Sequence, residues 1–407
     1  MCSVRDSFDL LVLGASFAGL EVVRGVRRRV RGRNMTIAVV DRQATHGYIP
    51  LVHERLCGRI DFGATELDTR AYLERHARAH FVHEEVVGFD PAHHIVQLAG
   101  GGRLHARFVV VALGSVLAPP STLRGREHLL VHKFAPELMR AREALVGALA
   151  SSQASTLVVI GGGITGVELA AELARLLRSS RVDASVPAHR HRVVLVHAGQ
   201  RLLPKLSPRA SEHARASLAA AGVELMLATR VVEVDVERVR LEHGGVREDV
   251  AVSLAFWAGG VSPAPVFGGL GLPLVDDGAG RGWLRVGPTL QCFPGGTASE
   301  RELFACGDAV RIVGGMGTWP TMQRAIECLW QADVVARNVL RLATQPPDYT
   351  SGMPGLLAHE LREDFPFGIS LGDRSMVAYG RMWFDLGPVT AWFRRWLLEK
   401  YFDRYSA

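Results

Sequence analysis

Hydrophobic residues along this chain gather in short unbroken runs that end at glycine-rich turns. That pattern predicts interior parallel strands rather than alternating surface strands. Phe8–Leu13 (FDLLVL) predicts a buried strand, Gly14 to Gly19 a turn, and Leu20 toward Arg29 a helix. Thr36–Val40 (TIAVV) predicts the next strand, which Asp41 ends. Strand, glycine turn, helix, strand and acid make a dinucleotide-binding unit. Gly14 permits the tight turn and Gly19 the close packing of helix on strand, while the helix N-terminus faces a pyrophosphate. Asp41 would accept the hydroxyls of an adenosine ribose. Ser16 replaces the middle glycine of the fingerprint, so Gly14, Ser16, Ala18 and Gly19 are the candidate binding positions of this turn.

The unit recurs. Thr156–Ile160 predicts a strand, Gly161, Gly163 and Gly166 complete the fingerprint around Ile164, and Val167–Leu177 predicts a helix before the strand Arg192–Val196. Two units imply two dinucleotides; the alternative is a degenerate duplication that binds nothing. Two further strand ends carry chemistry. Phe108–Ala112 runs into Leu113-Gly114-Ser115, and Leu303–Ala305 into Cys306-Gly307-Asp308. Ligands of doubly wound sheets sit at such carboxyl ends. Asp308 is placed to bond a hydroxyl chain such as a flavin ribitol, its alternative being a helix N-cap.

Composition narrows the class. Of 407 residues, 48% are hydrophobic and 22% charged, which excludes a disordered or collagen-like chain. Five cysteines without a CxxC pair exclude a zinc ribbon, a ferredoxin-type cluster and a disulfide scaffold. The histidines, His189 and His191 included, show no HExxH or Cys/His zinc spacing, so no metal is expected. The net charge of +6 rests on arginine, with lysine only at 133, 205 and 400; it is too spread out for a nucleic-acid arm. The long uncharged stretches Ala144–Val167 and Val250–Val275 are broken by Gly, Pro and Ser, so no membrane-crossing helix is expected.

The order of fingerprint, Leu-Gly-Ser, second fingerprint and Gly-Asp resembles the flavoproteins with two dinucleotide-binding domains, the pyridine nucleotide–disulfide reductase superfamily. The resemblance covers nearly the whole chain. It implies an α/β fold of two Rossmann-like domains, the second inserted in the first, and a small C-terminal membrane-docking region. It implies FAD on the first unit with Asp41 and Asp308 as ligands, and NAD(P)H on the second. Residues 1–125 with 285–345 would form the FAD domain, 150–270 the NAD(P)H domain and 346–407 the C-terminal region.

Within the superfamily, Asp41 to Ile60 holds only Cys57 where disulfide reductases carry a CxxxxC pair. The stretch is instead similar to the type II NADH dehydrogenase pattern at Tyr48, Pro50, Leu51, Glu54 and Gly58. Gly166-Val167-Glu168-Leu169 resembles that branch's GVEL segment, which places Glu168 near flavin and nicotinamide. Phe256 to Gly260 resembles its W-x-x-G element, including Gly259. Trp319 to Ala325 resembles its quinone-site helix, with Gln323 present and Glu327 where a second glutamine is usual. Glu168, with Gln323 and Glu327, would orient the reacting rings or relay a proton.

At the C-terminus, Trp392, Phe393, Trp396, Leu397, Tyr401, Phe402 and Tyr405 recur at helical spacing among Arg394, Arg395, Lys400 and Arg404. Aromatics with basic neighbours suit a membrane interface; the alternative is a helix packed on the core or on a dimer partner. Where the second unit would carry an acid for the NADH ribose, it has His197, followed by Arg201, with Arg190 and Arg192 nearby. These could pair with a 2′-phosphate, so NADPH stands beside NADH. A His at this strand end also resembles the ferroptosis-suppressor branch of the apoptosis-inducing-factor-like proteins. The expected activity is FAD-dependent transfer from NAD(P)H to a membrane quinone, by an enzyme of the cytoplasm peripheral on the inner face of the cell membrane. Alternatives are a sulfide:quinone oxidoreductase, a soluble NAD(P)H:ferredoxin or rubredoxin reductase, and a redox sensor that keeps flavin as structure. A homodimer and redox roles for Cys57 and Cys328 stay open.

Overall fold

The computed structural model describes residues 6–30, 34–151, 153–179, 191–276, 282–314, 323–345, 355–362, 366–379, 382–385 and 387–406. The expected features at Cys2, His189, Arg190 and Trp319–Met322 lie outside the described residues.

Strand β1 (Ser7–Leu13) is buried on both faces along its last four residues, as an interior parallel strand must be. It feeds α1 (Phe17–Arg29), which starts one turn earlier than the sequence suggests because the glycine turn enters the helix directly. Parallel to β1 run β2 (Ile37–Asp41) and, beyond it, β3 (His80–His83). The hairpin partners β4 (Val86–Asp90) and β5 (Ile95–Leu98) lead to β6 (Arg103–Val111), which pairs parallel with the other side of β1. Sheet order is β3-β2-β1-β6-β5-β4. The start of β6 pairs with antiparallel β5, which explains its extension upstream of the expected Phe108.

The second unit repeats the design. β7 (Thr156–Ile160), α2 (Ile164–Arg178), β8 (Arg192–Val196), β9 (Val223–Met226) and β10 (Leu254–Trp257) give an all-parallel sheet of order β9-β8-β7-β10. β7 and β8 have the bounds their hydrophobic runs predict. An antiparallel pairing of Val261–Pro263 with Ser115–Leu117 ties this unit to the first. The chain then returns: β11 (Leu303–Ala305) joins the first sheet beside β6, and α3 (Ala325–Ala343) packs on α1.

The C-terminal region touches both units. β12 (Phe367–Leu371), β13 (Arg374–Tyr379) and β14 (Met382–Asp385) form an antiparallel sheet whose first strand packs on α2. Helix α4 (Pro388–Phe402) starts with Pro in its first turn, as that residue's fixed φ allows. Tyr401 and, just beyond the helix, Tyr405 enter the apolar core of the first unit. Among the described residues no helix is long and apolar enough to cross a membrane.

Candidate active site

A cavity of about 740 Å³ runs from the first glycine turn, past Gly114, Ser115 and Asp308, to Ile164, Thr165 and Glu168 of the second unit. Arg394, Leu397 and Tyr401 of α4 close one side.

At the first turn Gly14 holds φ +107°, and a Cβ there would stand 2.4 Å from Ala112 O. A Cβ on Gly19 would meet Gly14 O at 1.8 Å. Only glycine therefore closes this turn onto its helix. Helix α1 has no acid in its first turn and no side-chain cap at Ser16, which leaves its N-terminal amides to an anion. Asp41 accepts from Ala15 N at 2.6 Å and Gln43 N at 2.7 Å, and each oxygen keeps a lone pair for a ribose hydroxyl. Burial raises its carboxyl, against those two bonds. Ser16 and Ala18 both line the cavity. Ser16 Oγ lies 3.2 Å from His46 Nδ1, whose Nε2 lies 2.7 Å from Tyr401 Oη. Burial pushes His46 down to about 3, so its ring is neutral and carries one proton between these two hydroxyls.

The Gly-Asp segment is built from more than its own residues. Asp308 Oδ2 accepts from Ser115 Oγ at 3.0 Å and lies 3.3 Å from Lys133 Nζ. Lys133, 9% exposed, also donates to Ser115 O and Oγ at 2.7 Å each. Gly307 N donates to Gln331 Oε1 at 2.6 Å, and Gln331 Nε2 donates to Glu327 Oε1 at 3.1 Å. Glu327 is thus buried behind the Gly-Asp turn, 3.4 Å from His359, and is not among the cavity-lining residues. Its neighbours Ile326 and Cys328 line the cavity; Glu327 and Gln331, one helical turn apart, share another face of α3. Gln323 does line it, at φ +54°, and with its amide oxygen turned to Arg311 accepts at 3.2 and 3.3 Å.

The second turn repeats the sterics. A Cβ on Gly161 would stand 2.4 Å from Ala258 O, and one on Gly166 1.8 Å from Gly161 O. Gly163, the uncapped N-cap of α2, faces open space, with nothing within 4 Å of a Cβ built there. A Cβ on Gly259 would meet the Trp257 ring at 2.6 Å. These four glycines and His197 are not among the residues that line the cavity, whereas Ile164 lines it. His197 Nδ1 accepts from Gly162 N at 3.2 Å, and burial lowers its basicity, which makes the ring neutral with its proton on Nε2.

Of the arginines expected near a 2′-phosphate, the two described ones have other partners. Arg201 donates to Leu206 O and Pro204 O at 3.0 and 2.7 Å. Arg192 makes a bidentate pair with Glu224 (2.7 and 2.6 Å) at the amino end of β8, roughly 15 Å along the strand from the turn.

Glu168 sits on the cavity wall, where burial pushes its carboxyl up to about 7. Its Oε1 accepts from Ser370 N at 3.0 Å; His53 and Arg394 lie 3.6 and 3.7 Å away. Sequence patterning does not mark His53, Lys133 or Arg394 as site residues. The one available signal was lysine 133 itself, a rare residue in an arginine-rich chain. Cys57 and Cys328 are buried and burial raises both thiols well above their ordinary value, which favours the unreactive protonated form.

The pyridine nucleotide-disulphide oxidoreductase model matches residues 8–328, and the chain belongs to that family. A type II NADH:quinone oxidoreductase of Haemophilus influenzae is 25% identical over 379 residues, 83% of this chain and 81% of that protein. NDH2 of Plasmodium falciparum, solved in complex with NADH, superposes with a TM-score of 0.81 at 12% identity, covering 97% of this chain and 94% of that one. The sulfide:quinone oxidoreductase of Aquifex aeolicus reaches 0.80 at 13% identity, covering 98% and 91%. At these identities the two structures share this chain's fold.

Proposed function

We propose that this chain is an FAD-dependent NAD(P)H:quinone oxidoreductase. One observation carries the reading: a single cavity joins the first glycine cradle to the start of α2 and extends to the C-terminal helix. Bound FAD supplies reversible two-electron chemistry. The first cradle fits it, because Gly14 and Gly19 leave no room for a side chain, α1 presents uncapped amides and the wall beyond carries a hydroxyl acceptor. The α1 amides would hold its pyrophosphate and Asp41 its adenosine ribose; Asp308, oriented by Ser115 and Lys133, would hold its ribityl hydroxyls. Gly114 and Gly307 let the backbone approach the ring system. Glu327, through Gln331, keeps the Gly307 amide in place.

The second cradle takes NAD(P)H, with its pyrophosphate at Gly161, Gly163 and the amino end of α2. Ile164, which lines the cavity, would border the nicotinamide, and Gly259 would border the dinucleotide outside it. His197 is a neutral ring that offers neither a carboxylate for a 2′-hydroxyl nor a cation for a 2′-phosphate, so discrimination between NADH and NADPH is small. Gln323 and Glu168 face the substrates in the cavity, and Glu168 Oε holds an exchangeable proton there.

Helix α4 supports docking on the inner face of the cell membrane. Trp392 is 66% exposed and Phe393, Trp396 and Leu397 are near 40%; Met382 and Phe384 of β14 are exposed as well. Such an apolar patch next to Arg395 and Lys400 suits a lipid headgroup boundary. The seven apolar residues do not form one stripe: Tyr401 and Tyr405 point into the core and the tryptophans point out. A Trp392→Ser/Trp396→Ser protein therefore keeps the cavity wall. It is expected to lose affinity for phosphatidylglycerol-containing liposomes by roughly tenfold or more, with an unchanged flavin spectrum. Undiminished liposome sedimentation would remove α4 from the docking surface.

Anaerobic stopped-flow spectroscopy tests the activity. NADH or NADPH is expected to bleach the flavin band, and a short-chain quinone to restore it. Restoration by ferredoxin but not quinone would assign a soluble reductase. Bleaching by sulfide alone would assign sulfide oxidation, a reading that the raised cysteine thiols oppose.

A further inference from the structure

Gln323 stands on the cavity wall just before α3, at a φ of +54° that a side-chain-bearing residue does not favour. Behind it, and not among the lining residues, is Arg311. Arg311 belongs to the strand Val310–Ile312, which pairs in parallel with Gly282–Val286. Its guanidinium lies 3.8 Å over the ring of Trp283 and donates to Val310 O at 3.0 Å. Trp283 is 1% exposed, so the guanidinium rests on a fixed platform. A guanidinium has donors and no acceptor, which decides how the Gln323 amide is turned. With its nitrogen toward Arg311, donors would face donors, and one long bond of 3.4 Å to Asp308 O would remain. With its oxygen toward Arg311, it accepts from Nη1 at 3.3 Å and from Nη2 at 3.2 Å. Both lone pairs of that oxygen are then taken up inside the protein. What Gln323 has left for an occupant of the cavity is its N–H donors.

We propose that Arg311, on its Trp283 platform, is a positioning residue that fixes Gln323 as a donor-only group, and that the cavity therefore takes the carbonyl form of its electron acceptor in preference to the hydroxyl form. This rests on the proposed function and deepens it, since the two forms are quinone and quinol. A quinone oxygen has lone pairs and no proton, so an N–H satisfies it. A quinol oxygen also accepts, but its own O–H then needs an acceptor that Gln323 does not offer. An unmet donor inside a cavity weakens binding. An amide free to turn would offer its N–H to one form and its oxygen to the other, and would not tell them apart. The clamp thus holds the substrate and lets the product go.

Anaerobic titration calorimetry of the flavin-loaded protein with a short-chain quinone and with its quinol, in the absence of NAD(P)H, measures the preference without turnover. The native protein is expected to bind the quinone about tenfold more tightly than the quinol. Gln323→Glu keeps the side chain's shape and its contact with Arg311 but has no N–H to offer, so the preference should invert. Arg311→Met keeps an apolar stem on Trp283 and frees the amide, so the ratio should fall toward equality. Arg311→Lys, whose ammonium also has donors only, should hold the native ratio. Flavin affinity should stay native in both Arg311 variants. If the native protein binds quinone and the ratio is the same in Gln323→Glu and Arg311→Met, the inference is overturned and the proposed function stands. Lost flavin affinity with an unmoved ratio would assign Gln323 to the flavin and overturn it as well. A native protein that binds neither form would overturn the proposed function itself.

Discussion

Gly163→Val is expected to leave the fold and the flavin band intact and to weaken NAD(P)H binding by roughly 10²-fold. The position is unusual among the fingerprint glycines. Gly161 and Gly166 are required by the backbone itself, since a Cβ on either meets a carbonyl oxygen at 2.4 Å or less. Changing them would confuse lost folding with lost binding. Gly163 has an ordinary φ of −76° and open space where its side chain would go. A valine there loses at most about 1 kcal/mol as an N-cap. It fills the place where a pyrophosphate approaches the α2 amides, so two or so charge-assisted bonds are lost. Titration of the flavin band with NADH measures the dissociation constant directly. An unchanged constant together with a valine that folds would mean that the second cradle binds no dinucleotide.

The second large effect lies at the Gly-Asp turn. Asp308→Ala is expected to lower flavin affinity by about 10²-fold or more and to cost about 3 kcal/mol of stability. The stability loss has a particular source. Lys133 is 9% exposed and Asp308 is the carboxylate beside it, so removal of that partner leaves an ammonium buried against Ser115 alone. Asp308→Leu combined with Lys133→Met removes both charges. That double variant should recover the denaturant midpoint and remain colourless. Recovery of both, or of neither, would show that the pair does not divide its work between holding the chain and holding the cofactor.

The sequence made the two cradles legible because their demands are local. A strand that must be buried on both faces needs an unbroken apolar run, and β7 and β8 have the bounds such runs predict. A turn that crosses directly into a helix needs glycine at Gly14, Gly19, Gly161 and Gly166 whatever surrounds it. Residues whose roles depend on long-range meetings were not legible. His53 and Arg394 are 341 positions apart and meet because Tyr401 and Tyr405 anchor α4 in the first unit's core. Glu327 reads as a site residue through the resemblance, which puts it where a second glutamine is usual. The rotation of α3 turns it behind Gly307, where it acts through Gln331. Arg192 was adjacent in sequence to the right loop but sits at the wrong end of its strand. Helical spacing at the C-terminus correctly marked a helix, yet aromatics surround it, and only packing decides which of them face inward.

The hydroxyl of Tyr401 reaches through His46 to Ser16 at the first glycine turn. The tail that faces outward with its tryptophans is therefore also part of the pigment's housing. Deleting the tail is therefore expected to take the colour with it, whereas replacing only its outward-facing tryptophans is expected to leave the colour in place.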